Sequence, residues 1–86
     1  MNLTFTPSAW DDYEWFLQHD RKLVKRINQL ILEIQRTPFE GIGKPEPLKG
    51  DLTGFWSRRI NDEHRLIYAT KGDAVVVIAC RHHYGT

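Results

Sequence analysis

The stretch Phe55–Cys80, FWSRRINDEHRLIYATKGDAVVVIAC, decides the fold. It breaks into three runs: FWSRRI at 55–60, RLIYAT at 65–70 and AVVVIAC at 74–80. Each is rich in β-branched, aromatic or aliphatic residues, and NDEH and KGD between them are turn-forming. The pattern predicts three strands joined by two consecutive hairpins. The run at 74–80 is apolar on both faces, so it is expected to be the central, most buried strand.

Ahead of these strands, PFEGIGKPEPLKGDLTG at 38–54 holds three of the four Pro and four of the six Gly. No periodicity survives there. It reads as a long structured loop and not as a domain linker, because residues 55–86 are too few to fold alone. Loops of this length in small domains often carry function. Further back, Leu23, Val24, Ile27, Leu30, Ile31 and Ile34 form one helical stripe, with Arg21, Lys22, Lys25, Arg26, Gln29 and Glu33 off it. Asp20 is placed to cap this helix, and Thr37-Pro38 to stop it. Ala9, Trp10, Tyr13, Phe16 and Leu17 predict an earlier helix, with Ser8 as cap and Asp11 as a short-armed capping-box partner. LTF at 3–5 alternates like a short strand. The order β-α-α-β-β-β describes an α+β domain spanning 1–86. Two N-terminal helices pack on a small, mainly antiparallel sheet.

Composition narrows the function classes. No apolar run is long enough to cross a membrane. The N-terminus lacks a basic segment followed by an apolar one, so the cytoplasm is the expected location. One cysteine, Cys80, excludes an intramolecular disulfide and any site with two or more Cys ligands. The net charge of +1 hides an asymmetry. Residues 1–20 carry four acids and no Lys or Arg, whereas residues 21–86 carry twelve Lys and Arg against seven acids. That basic excess suits a polyanion, or simply a solubilised surface.

Three features carry candidate chemistry. The chain ends RHHYGT, with His82, His83 and Tyr84 emerging from the last strand. Alternation sends His83 to the side of Arg81, and His82 to that of Cys80 and Tyr84. Histidine exchanges protons near neutral pH. Read alone, the pair is better taken as surface histidines beside an aromatic plug. Adjacent strand residues point apart and no third ligand is spaced to help, so no metal and no other cofactor is expected. In KPEPLKG at 44–50, Glu46 lies between two prolines that hold its carboxylate on a stiff segment, as suits a general base. Lys44 and Lys49 flank it, to hold phosphate or merely to keep Glu46 ionised. In FWSRRINDEHR, Arg58, Arg59 and Arg65 offer planar forks for phosphate oxygens. Phe55 and Trp56 beside them fit base stacking or core packing, and His64 in the turn is expected to be solvated. A carboxylate, guanidinium groups and an imidazole are what metal-free RNA cleavage by 2′-hydroxyl attack requires.

TPFEGIGKPEPLKGDLTGFWSRRINDEHRLIY, with SAWDDYEWF before it and a terminal RHHY, closely resembles the YoeB toxins of bacterial toxin–antitoxin pairs, within the RelE superfamily. The resemblance covers essentially the whole chain. It implies a RelE-like fold and a metal-independent endoribonuclease that cuts mRNA in the A site of the 70S ribosome. It implies a YefM-type antitoxin as partner, operator DNA bound through the antitoxin complex, and possible homodimers. Carried over residue by residue, Glu46 matches the general base, His83 the general acid, Arg65 the arginine that stabilises the transition state and Tyr84 the terminal tyrosine that helps place substrate. Lys49 and Arg59 match basic residues lining the site. One departure is visible: the family ends Arg-Tyr-His-Tyr, and here His82 stands in place of that first tyrosine.

Two readings from other classes compete. A non-catalytic basic RNA- or ribosome-binding module would need the arginines and lysines but not Glu46 or His83. A pure interaction protein would use the two-helix face to hold a disordered partner segment; separately, an exposed Trp10 or Trp15 would mark an oligomer interface.

Overall fold

A computed structural model describes residues 1–83. The elements run β1 (Asn2–Phe5), α1 (Pro7–His19), α2 (Arg21–Arg36), β2 (Glu46–Pro47), a 3₁₀ turn (Gly50–Leu52), β3 (Trp56–Arg59), β4 (His64–Lys71) and β5 (Ala74–His83). One five-stranded sheet has the order β1-β5-β4-β3-β2. Only β1 pairs in parallel, with β5; the other neighbours are antiparallel. The α+β expectation holds, with two helices on one face of the sheet.

Local chemistry explains the helices. Thr6, not Ser8, caps α1: its side-chain oxygen accepts from Ala9 N at 3.2 Å. Pro7 occupies the first helical position, where its fixed φ and missing N–H cost nothing, so the cap must be the residue before it. Asp20 joins the two helices by itself. Its backbone N–H donates to Phe16 O at 2.8 Å, and its side chain accepts from Leu23 N at 3.3 Å. The predicted stripe of α2 is the buried one: Val24, Ile27, Leu30, Ile31 and Ile34 face the sheet. They meet Leu66, Tyr68, Val75 and Val77 in the core.

The strand order corrects one expectation. The centre is β4, and β5 lies second, between β1 and β4. Its apolar character on both faces fits a strand hydrogen-bonded on both edges. The β4–β5 hairpin turns on Gly72-Asp73, where Gly72 has φ +59, as a tight two-residue turn requires. Along the hairpin, register shifts fall between Tyr68 and Ile67 and between Ile67 and Arg65. Each inserts an extra residue into β5, a β-bulge that resets which face the subsequent residues occupy. The consequences fall on the C-terminal end, where the candidate chemistry lies.

Candidate active site

Residues directly opposite each other in antiparallel strands share a face. Glu46 opposes Ser57, Ser57 opposes Ile67, and Ile67 opposes Ala79. One pair further along, Arg59 opposes Arg65, and Arg65 opposes His82. The two rows are parallel and lie on the sheet face away from the helices. The upper row presents two guanidinium positions and an imidazole, and the lower row presents Glu46 at the sheet's edge. Like charges directly opposite one another destabilise a sheet.

The frame around Glu46 is stiff. Leu48 N donates to Phe55 O at 2.9 Å, clamping the segment onto the start of β3. Pro47, which lacks an N–H, sits where an edge strand tolerates it. Arg59 N donates to Gly43 O at 2.6 Å, and Arg26 Nη2 donates to Arg59 O at 3.3 Å. A Cβ on Gly43 would come within 2.8 Å of Leu30 Cδ2, so only glycine lets this loop lie against α2. Lys44, exposed with φ +51, turns the chain into the Pro-Glu-Pro segment, and exposed Lys49 precedes the 3₁₀ turn.

Arg58 is not a substrate-binding residue. It is completely buried on the helix side of β3. Its Nε donates to Tyr68 Oη at 3.2 Å, Nη1 to Ile42 O at 3.1 Å, and Nη2 to Thr37 O at 2.6 Å and Glu40 O at 2.8 Å. Its Nη1 also pairs with Glu33 Oε1 at 3.4 Å. The guanidinium therefore fastens the 37–42 loop to the sheet and has no surface left for RNA. Trp56, on the same face, packs its ring 4.9 Å from Phe39, so core packing accounts for it. Tyr68, wedged here, has its pKa raised by burial, partly offset by Arg58.

His64 also departs from expectation. The turn is shorter than it reads, because Asn61 Oδ1 accepts from the backbone N–H of both Glu63 (2.9 Å) and His64 (2.7 Å). This side chain closes the turn and starts β4 at His64, which is buried, edge-on to Phe16 with ring centroids 5.2 Å apart. Burial lowers the His64 pKa; Glu63 and Asp20 oppose that, and His83 and Arg81 reinforce it.

His83 lies directly opposite His64, ring centroids 4.9 Å apart, so it stands on the α1 side at the end of the sheet. Its Nε2 is 3.8 Å from Glu63 Oε2. Simple alternation fails for its neighbour. Between the bulges it is Cys80 that passes to the helix side, against Ala9 O (3.7 Å), followed by Arg81 over the Trp15 ring (3.8 Å), both on α1, while His82 opposes Arg65 on the far face. The structure thus brings Glu46, Arg59, Arg65 and His82 to one face, with His83 around the sheet's end. Tyr84 lies outside the described residues. Trp15 is no free interface marker, being covered by Arg81 and stacked on His19 at 4.4 Å. Trp10 is 47% exposed beside an apolar groove that includes Leu3, Tyr13 and Leu32.

Two helices on this sheet, with a cationic row across its far face, define the RelE-like toxin fold. The family match is specific. The chain matches the profile of the YoeB-like toxin of bacterial type II toxin-antitoxin systems over residues 5–84. It is 58% identical over 84 residues to Toxin YoeB of Synechocystis, covering 98% of each chain. It superposes on the YoeB dimer from Staphylococcus aureus with a TM-score of 0.91 at 50% identity, covering 98% of both chains. For YoeB in the heterotetrameric YoeB-YefM complex of the same organism the TM-score is 0.89 at 50% identity, again covering 98% of both. The chain belongs to the YoeB toxin family, and so is a toxin of a type II toxin–antitoxin system.

Proposed function

We propose that this toxin is a ribosome-dependent endoribonuclease that cuts mRNA in the A site and so stops translation. The observation that carries the reading is the pair of rows on the far face: a carboxylate borne on a clamped backbone segment, then two arginine positions directly opposite each other. RNA laid across them puts a 2′-hydroxyl near Glu46, which takes its proton. The oxygen attacks the adjacent phosphorus, and Arg65 and Arg59 stabilise the charge gathering on the phosphorane oxygens. Lys44 and Lys49 hold flanking phosphates. His83 gives a proton to the departing 5′-oxygen, and Tyr84 positions the substrate. No metal enters this scheme.

The relative crystallised with YefM supports a YefM-type antitoxin as partner, and the dimeric relative supports a homodimer. Operator DNA would be bound through the antitoxin complex. Its site of action would be the cytoplasmic ribosome; no helix among the described residues is long and apolar enough to cross a membrane.

The test uses ribosomes stalled on a defined mRNA with an empty A site. New ends carrying a 2′,3′-cyclic phosphate and a 5′-hydroxyl, abolished by a 2′-deoxy nucleotide at the cut, are expected. Ribosome binding without any cut would favour a non-catalytic basic module instead.

A further inference from the structure

The hairpin register assembles a cluster that the sequence spacing conceals. One ligand atom each from Glu63, His64 and His83 lie within 4.8 Å of one another. His64 Nε2 is 3.6 Å from Glu63 Oε1, and His83 Nε2 is 3.8 Å from Glu63 Oε2. Tetrahedral zinc, with bonds of about 2.0–2.2 Å, spaces its ligand atoms about 3.3–3.6 Å apart, so only small side-chain movements separate this arrangement from a metal-binding one.

The parts differ in rigidity in a useful way. His64 is held edge-on to Phe16, and its Nδ1 is buried with no hydrogen-bond partner among the described residues. Its ligating nitrogen is Nε2, the one turned toward Glu63. His83 is fixed opposite it by strand pairing and is 43% exposed. Glu63, at 65% exposure on the turn, is free to swing onto an ion from solvent. Two imidazoles select a borderline ion such as Zn²⁺ over Mg²⁺ or Ca²⁺, which prefer oxygen ligands. Three protein ligands leave a fourth position for water.

We infer that Glu63, His64 and His83 form a site for a divalent transition-metal ion, with Zn²⁺ the best fit, whose occupancy switches the toxin off. The second half rests on the proposed role of His83 as general acid. Coordination uses the Nε2 lone pair and releases any proton on that nitrogen to solvent, so Nε2 has no proton to give the 5′-oxygen and the ring, left neutral with its remaining proton on Nδ1, can no longer act as the imidazolium acid.

The test separates the two halves. Chelator-stripped full-length protein is titrated with ZnCl₂ by calorimetry, and with CoCl₂ while visible absorption is recorded. One ion per chain is expected, with the intense visible bands of tetrahedral Co²⁺. Glu63→Gln, a change at an exposed turn, should weaken binding more than about tenfold, as should His83→Asn. No binding, or affinity unchanged in both variants, overturns the site. In the cleavage assay, saturating Zn²⁺ should slow the wild type at least tenfold, and chelator should restore it. Glu63→Gln should keep a larger fraction of its own zinc-free rate. Wild-type cleavage indifferent to saturating Zn²⁺ overturns the switch. Absence of all cleavage would count against the nuclease reading, while calorimetry still decides the metal site.

Discussion

Arg58 and Arg59 are neighbours in sequence and opposites in role, and Arg58→Met tests that division. The substitution keeps an unbranched side chain of similar reach but removes every donor. Thr37 O, Glu40 O and Ile42 O lose their guanidinium partner, Tyr68 Oη loses a donor, and the Glu33 carboxylate loses its cation. Breaking a buried, hydrogen-bonded ion pair from one side costs about 3–5 kcal/mol. Glu33 is 30% exposed, and water can reach part of the loop, so the low end applies: about 3 kcal/mol. A domain of this size has total stability on the order of 5–10 kcal/mol. Each kcal/mol moves the melting temperature by about 4–8 °C, so a drop of at least about 12 °C is expected. Urea unfolding followed by tryptophan fluorescence should show the same loss. Arg58→Lys should rescue only part of it, because a single ammonium cannot reach acceptors spread around a planar fork. A melting temperature within about 3 °C of wild type for Arg58→Met, with cleavage abolished, would refute this reasoning and return Arg58 to the RNA-binding surface.

The site and the buried titratable groups give three more expected outcomes. Glu46→Gln keeps the shape of the exposed side chain but removes the base; cleavage on stalled ribosomes should fall by about 10²–10⁴-fold with an unchanged melting temperature, and an unaltered rate would remove Glu46 from the mechanism. His64 has a folded-state pKa below its ordinary 6.5, so the unfolded chain takes up the proton first as pH falls. Stability should therefore be full above about pH 6.5 and decline below it; urea midpoints at pH 7.5 and 5.5, measured in chelator, should differ less in His64→Gln, and an identical decline in both would assign the effect elsewhere. Burial, reinforced by Asp12, pushes the Cys80 thiol up to about 12, so native protein should resist iodoacetamide at pH 8 while urea-unfolded protein reacts quickly; rapid native alkylation would contradict the buried placement.

Much of the fold was legible because it is local. The stripe from Val24 to Ile34, the Asp20 cap and the Thr37-Pro38 stop each arise from neighbours within one or two turns of chain. The Gly72-Asp73 hairpin is equally local, since a two-residue turn needs a residue that accepts positive φ. Even the wrong cap was a local error: Pro7 already declares that the helix begins with it, which makes Thr6 the cap.

By itself, the sequence determined the two helices and four of the five strands, the short β2 (Glu46–Pro47) being read as loop, and that Arg58 and Arg59 must face opposite ways. Only the tertiary structure decided which of the two is inside. That depends on the carbonyls of a loop sixteen or more residues away, and alternation carries no sign. It also decided that His64 is buried, that His82 shares a face with Arg65, and that His83 meets Glu63. The meeting of His83 with His64 and Glu63 rests on two bulges in the β4–β5 pairing, which together shift the register by two residues, and a bulge is a property of two strands together. Periodicity reports a chain's relation to its own neighbours; register, and with it the composition of the site, is set by the partner strand.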